Sequence, residues 1–396
     1  GNPFRSIQAA LNFGSDDDTA YVSAGTYNEN LVYRYDQSES IRSVSLIGDN
    51  KETTIIDGQQ IAACIKLPSG GYSSPLIKNF TIRNGYANGE MENNAFNQGG
   101  GIQIKDHYYP AYLSDLIIEN CTAVSGGTAG AGGGIFSDGS SLEMSNVQIN
   151  NNSATVQGGG IYFRSGADPW DYTLDIESSY INGNGGYASG GGVYIAKSPG
   201  GSTIPIVQLS NTTVSNNTSG NDGGGVSLNE VNATFDNCTV SENTAANGAG
   251  INSVSSTVTV NNSTIGDNIA SANGGGFYFQ DTDPIITDVS ISNNSAYSGG
   301  GIYCEYQSDG TMTNVTISGN VASWEGGGVF LQDNSSPAMS HVTISENTAT
   351  LDGGGVYLNN SSPVMSHVTM SGNSCDNHGG GIFMKNNSNP SFSNSI

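Results

Sequence analysis

Positive charge is what this chain has least of. Its 396 residues carry 11 Lys+Arg against 35 Asp+Glu, a formal net charge of −24. Phosphate contacts need clustered Lys and Arg, so a nucleic-acid partner is excluded, and an anionic membrane surface is disfavoured for the same reason. Charged residues of both signs reach only 12 %, too few for a charge-laced helical protein. Cysteine is scarce: Cys64, Cys121, Cys238, Cys304 and Cys375 form an odd set with separations of 57, 117, 66 and 71 residues. That is not a disulfide framework, and five free thiols are expected, because in a stacked coil only the same or an adjacent turn brings Cα atoms within about 7 Å. No run of about 18 apolar residues is present, so nothing crosses a membrane as a helix. A signal peptide is also lacking at Gly1-Asn2-Pro3-Phe4, and the chain stops at Ser395-Ile396 within a repeat, so it reads as a mature or trimmed fragment.

What the chain has is glycine, 56 residues of it, without the Gly-X-Y period of collagen. A Gly triplet followed by an apolar residue recurs, its third Gly at 101, 134, 160, 192, 225, 250, 276, 301, 328, 355 and 381. Successive spacings are 33, 26, 32, 33, 25, 26, 25, 27, 27 and 26 residues, so the base period is 25 to 27 and three early units carry insertions. Seven or eight residues before most of these glycines stands an Asn: Asn152, Asn184, Asn217, Asn243, Asn268, Asn294, Asn320, Asn347 and Asn373. Asn84 and Asn120 are placed in the same column with longer gaps. A short β-branched run precedes each Asn, as in Val315-Thr316-Ile317-Ser318, and another follows the triplet, as in Val356-Tyr357-Leu358.

Strands this short cannot bury a core alone, but stacked copies bury one face of each strand and pair every backbone with the turns above and below. Asn at a fixed bend can bond neighbouring backbones, and Gly at another supplies positive φ. The pattern predicts an all-β chain, a right-handed parallel β-helix of roughly 13–14 rungs and about 65 Å length at about 4.8 Å per rung. Ile7–Leu11 reads as a short N-terminal cap helix. The whole of 1–396 is expected to be one β-helix domain: cap and first rungs over 1–84, Gly-triplet and Asn-ladder rungs over 85–396, insertions within 103–206.

The opening resembles that of pectate-lyase-like β-helix proteins, in the segments Ser6 to Leu11, Asp17 to Val22, Gly25 to Glu29 and Leu46 to Gly58. The later rungs resemble the passenger domains of polymorphic outer-membrane proteins and related bacterial surface proteins, which repeat a Gly-Gly-[Ala/Gly]-Ile unit beside an Asn-bearing turn. The resemblance covers nearly the whole chain. It implies an extracellular or bacterial cell-surface location and leaves function open, because the superfamily holds lyases, hydrolases, esterases and non-enzymatic adhesins.

Two columns are candidate sites. Two residues past each third Gly the chain reads Gln103, Phe136, Tyr162, Tyr194, Ser227, Asn252, Tyr278, Tyr303, Phe330, Tyr357 and Phe383, flanked by mostly apolar neighbours. Alternation turns this column outward. Tyr278, Tyr303, Phe330, Tyr357 and Phe383 are therefore expected to be partly exposed and to bind a glycan or a flat protein face; the competing readings are a structural aromatic ladder and a column covered by an added segment. Four or five residues past the third Gly stand Lys105, Asp138, Arg164 and Lys197, among the insertions His107-Tyr108-Tyr109-Pro110, Asp168-Pro169-Trp170-Asp171-Tyr172 and Ser198-Pro199-Gly200. Lys105, Asp138 and Arg164 could serve a lyase, with Lys or Arg as base, or form a plain ion-pair ladder. His341 and His367 occupy equivalent places and read as stacked surface residues rather than metal ligands. No metal site is indicated and no cofactor is expected; the many acidic residues after position 200 leave calcium as a weak possibility.

The expected function is thus a non-catalytic secreted or cell-surface protein with an adhesive, carbohydrate- or matrix-binding role, its partner an extracellular glycan or surface protein. Near-identical late repeats favour a spacer or repetitive face over one active centre. The alternative is a polysaccharide lyase or hydrolase acting on acidic glycans through the insertion zone at 103–200.

Overall fold

The structure, a computed structural model, describes residues 4–33, 43–70, 74–88, 91–92, 95–96, 98–107, 109–124 and 130–396. It divides into two compact units, Gly1–Gln208 and Leu209–Ile396. Each is a stack of parallel strands, and the fold is a right-handed parallel β-helix.

The first unit opens on the helix Ile7–Phe13, with Ile7 and Leu11 buried. The Ser6 hydroxyl accepts from the Ala9 N–H at 3.2 Å, and the Glu29 carboxylate accepts from the Ile7 and Gln8 N–H groups at 3.0 and 2.9 Å, so the free donors of the first turn are met. The strands that follow the glycine bends, here called sheet I, number six among the described residues of this unit: Leu31–Val32, Ile65–Leu67, Ile102–Lys105, Ile135–Asp138, Ile161–Arg164 and Val193–Ala196. The second unit contains seven, from Val226–Asn229 to Ile382–Lys385.

One rung of the second unit shows the plan. Ile302–Glu305 lies in sheet I; Thr311–Thr313 and Thr316–Ser318 lie in sheet II; Val321–Ala322 lies in sheet III. Between the two sheet II strands Asn314 takes φ 54°, a left-handed bend that Asn tolerates and β-branched residues resist. Register is strict: Ile302 pairs with Val329, Met312 with Met339, Ile317 with Ile344 and Ala322 with Ala349. All eight side chains are buried, so like residues stack into apolar columns along the interior.

The Asn column forms a buried ladder at the bend between sheets II and III. Asn320 Oδ1 accepts from the backbone N and from Nδ2 of Asn294, at 2.9 and 3.0 Å. Its Nδ2 donates to the Ile291 carbonyl at 2.9 Å and to Asn347 Oδ1 at 3.0 Å. One amide thereby fills both lone pairs and both N–H groups. The same scheme links Asn243 to Asn268 and Asn152 to Asn184. Asn84 and Asn120 do not belong to the column. Both are left-handed bend residues with φ 55°, one position early, and it is Cys121 whose N–H donates to Asn152 Oδ1 at 2.9 Å.

Two glycines explain their triplet. Gly328 has no room for a side chain: a Cβ would sit 2.6 Å from the Gly355 carbonyl oxygen and 3.1 Å from the Asn347 amide. Gly326 has φ 69°, and a Cβ there would meet the Phe330 Cβ at 2.8 Å. The bend therefore folds against the base of the aromatic four residues on.

Candidate functional site

That contact decides the fate of the aromatic column. Tyr278, Tyr303, Phe330 and Tyr357 do sit opposite the interior residues of sheet I and form a cluster of their own, with Phe383 packed against it. The expected exposure does not hold, since the first four are 1–8 % accessible. Centroids are 5.4, 4.8, 4.7 and 5.2 Å apart down the column, and all four ring pairs are stacked. Tyr303, Phe330 and Tyr357 have both faces taken by neighbouring rings and their bases covered by the glycine bends, so they leave no face for a sugar, while Phe383 ends the column half-buried. The polar ends are also engaged: the Tyr278 hydroxyl donates to the Glu305 carboxylate, which accepts from Gln332 Nε2 at 2.8 Å. Burial and Glu305 hold the Tyr278 phenol far above its ordinary value. Alternation was read correctly from the sequence; the cover comes not from an added segment but from the glycine bend of the repeat itself.

In the Lys105, Asp138 and Arg164 column the structure agrees with the ion-pair reading at Asp138 and Arg164. The three are in register on adjacent strands of sheet I. Arg164 grips Asp138 with two bonds, Nε to Oδ1 at 2.8 Å and Nη2 to Oδ2 at 2.6 Å. The carboxylate beside it raises the guanidinium pKa above its already high value.

Beside this pair lies a cleft of about 360 Å³ in the first unit. It forms where the turns that leave sheet I stack in four successive rungs, after strands Ile65–Leu67, Ile102–Lys105, Ile135–Asp138 and Ile161–Arg164. Ser69, Asp106, His107 and Gly139 make its floor; Asp168, Trp170, Asp171 and Tyr172 come from the longest loop. Asp106 takes a left-handed bend, φ 44°, and its Oδ2 accepts from Ser69 Oγ at 3.2 Å. Gly139, with φ 65°, leaves space for it, since a Cβ there would lie 2.6 Å from Asp106 Oδ1. Burial, then the neighbouring Asp138 charge, push the Asp106 carboxyl above the usual range. Trp170 is 62 % exposed on the rim, an aromatic surface without the stacking partners of the second unit's column. The lining holds three Asp and, among the described residues, no Lys or Arg. Sequence reasoning had marked the insertion loop but not Ser69 or Asp106; the signal was an Asp and a Gly alternating at the same bend in adjacent rungs. Tyr108 lies outside the described residues.

His341 and His367 stack with centroids 4.7 Å apart on the exposed bend of sheet II. Among the described residues no group of three or more His, Cys, Asp and Glu side chains gathers as a metal site, and no helix is long and apolar enough to cross a membrane. The five cysteines are free. Their rung arithmetic needs one correction, because the Cys64 and Cys121 side chains both border the Gly85 bend, a proximity that with burial raises the Cys64 thiol well above its ordinary value.

Residues 224–396 match the family described as the right-handed beta helix region, and residues 146–164 match the Chlamydia polymorphic membrane protein repeat. No curated protein matches the chain in sequence. Among solved structures, the catalytic domain of Agl-KA is similar at 14 % identity with a TM-score of 0.46, over 99 % of this chain and 69 % of that one. The A-module of a mannuronan C-5 epimerase from Azotobacter vinelandii is similar at 13 % identity with a TM-score of 0.33, over 98 % and 93 %. An α-1,3-glucanase catalytic unit from Streptomyces thermodiastaticus is similar at 11 % identity with a TM-score of 0.40, over 100 % and 69 %.

Proposed function

We propose that the protein is an extracellular or cell-surface β-helix that binds a glycan in the cleft between the turns of its first unit, and that the regular second unit acts as a spacer. The observation that carries this reading is the cleft itself, a concave polar floor with an exposed tryptophan on its rim. Sugar sites combine those parts, an aromatic surface for the C–H face and fixed polar groups for the hydroxyls. The match of residues 146–164 to the polymorphic membrane protein repeat supports the surface location. The test is retention on immobilised polysaccharides. Wild-type protein is expected to bind at least one of a panel, and Trp170→Ala to bind at least about tenfold more weakly while staying folded, since removing one good aromatic contact costs about 1–2 kcal/mol. Failure of every polysaccharide, or equal binding by Trp170→Ala, would end the reading.

One observation favours a second reading. A carboxyl held above its usual range beside further carboxylates suits a general acid in glycoside hydrolysis, and Asp106 has Asp168 and Asp171 near it. Release of reducing ends, abolished by Asp106→Asn, would establish hydrolysis; an absorbance rise from unsaturated uronate would establish a lyase.

A further inference from the structure

On the glycan-binding reading the site is the cleft with its tryptophan, and the charge on the walls then determines which sugars fit. Asp106, Asp168 and Asp171 line the cleft, and all three are exposed, so their carboxylates are open to a ligand. Ten of the eleven Lys and Arg lie before residue 200, yet none of those among the described residues lines the cleft. Arg164 is held by Asp138 through two bonds. Lys105 precedes Asp106, but it lowers the Asp106 pKa less than Asp138 raises it, and Asp168 raises it further. The charges around this carboxylate therefore leave it in a negative field. Burial pushes the His107 imidazole below its ordinary value, so this ring adds no positive charge at pH 7.

Three classes of sugar meet that charge differently. A uronate or sulfated unit brings like charge to carboxylates with no cation in the lining to receive it. An uncharged unit takes water from the carboxylates and returns only hydroxyl dipoles, so their mutual repulsion grows as the cleft is covered. Asp106 already shows that cost, since burial is the largest cause of its raised pKa. A protonated amino sugar supplies the missing charge together with three N–H donors, and hydrogen bonds between ions are the strong ones. Trp170, exposed at the rim, offers its face to the C–H side of the sugar, and an aromatic face also attracts an ammonium group. The cleft volume of about 360 Å³ suits a short segment of such a chain.

Resting on the glycan-binding reading, we infer that the cleft selects a cationic amino glycan, one of whose protonated amines sits among the Asp106, Asp168 and Asp171 carboxylates while its sugar ring stacks on Trp170. The ligand is therefore opposite in charge to the acidic glycan of the alternative drawn from the sequence.

The test uses the full chain and calorimetry in mildly acidic buffer, where amino-sugar amines carry protons. The probes are the chitosan hexamer, N-acetylchitohexaose (the same backbone without the charge), hexaguluronate and hexalysine. The chitosan hexamer is expected to bind at least about tenfold more tightly than each of the others, and its affinity should fall at least about fivefold from low to high salt. Joint replacement Asp168→Asn and Asp171→Asn should bring it to the level of N-acetylchitohexaose, with the melting temperature unchanged because both side chains are exposed. The chain as a whole carries a net charge of −24, so a control must remove equal charge elsewhere. Glu242→Gln with Glu346→Gln, on exposed bends of the second unit, should change the affinity less than about twofold. An equal loss in this control, or hexalysine binding as tightly and without need of Trp170, would mean attraction by net charge and overturn the inference. If N-acetylchitohexaose or hexaguluronate binds through Trp170 as well as the chitosan hexamer does, the glycan-binding reading survives and the selectivity does not. If no sugar hexamer binds, both fall.

Discussion

The two units are made from one repeat and differ in how faithfully they copy it. From Leu209 onward the spacing stays within 25–27 residues, the Asn ladder runs unbroken from Asn217 to Asn373, and one aromatic column stacks across five rungs. Before Gln208 the spacing reaches 33 residues, Cys121 stands where the ladder would have Asn, and loops of different length leave the same corner of successive rungs. Charge follows the same division: ten of the eleven Lys and Arg lie before residue 200, and Lys385 alone lies after it. A repeat that is copied closely satisfies its own side chains, as the buried rings and closed amides of the second unit show. Departure from the repeat is what opens a cleft beside the stacked turns, with the exposed Trp170 at its rim.

Five substitutions would sharpen or break this comparison. The largest effect is expected from Gly328→Ala, whose Cβ would press on backbone 2.6 Å away. Urea unfolding should show a loss of about 4 kcal/mol or no folded protein, against a change within about 0.5 kcal/mol for Gly185→Ala in the first unit, where nothing lies within 4 Å of the new methyl. Equal effects would mean that the triplet is not fixed by backbone contact. Tyr303→Ala should cost about 3 kcal/mol through the lost ring stack, with glycan binding unchanged. Lost binding with unchanged stability would restore the aromatic column as a site. Asn320→Ala should cost about 2 kcal/mol, as several buried bonds lose a partner and water is kept out.

The smallest effect concerns pH. The folded state raises the Asp106 pKa, so between the unfolded value and the raised folded value the native chain binds more protons. Its contribution is fully present below the unfolded pKa and is lost as pH rises through the folded one. Asp106→Asn is therefore expected to raise the melting temperature slightly at pH 7, and the gain should fade as pH falls into the carboxylate range. A gain that persists in acid would point to a steric cause instead.

The sequence disclosed the fold nearly in full because a solenoid writes its three-dimensional neighbours into a fixed spacing. The period predicted which side chains share a column, and alternation predicted which face of sheet I Tyr303 occupies. What spacing could not show is what lies over a column. The coverage of Tyr303 depends on the left-handed turn at Gly299, whose path relative to the strand is set by backbone dihedrals and not by residue type alone. The cleft was hidden for a related reason. Ser69, Asp106 and Trp170 are brought together by loops of unequal length, and unequal loops break the register from which the other contacts were read. Asn84 and Asn120 misled because a bend residue and a ladder residue are adjacent and are often both Asn.

The amide ladder has a consequence for how such a chain can grow. Its Asn-to-Asn bonds join residues 25 to 27 apart within the second unit, and its bonds to backbone carbonyls join residues 28 to 30 apart. Each new rung therefore closes a loop of the same length on a template already in place, so the entropic toll per step is independent of how many rungs precede it. Folding becomes an elongation reaction, its speed governed by the first closure and not by total size. A duplicated stretch of one period would slot in without altering any existing contact beyond its two neighbours, and a deleted one would leave the remaining ends complementary. Length, which in a globular domain is tied to the shape of the core, is here a quantity that selection can adjust one coil at a time.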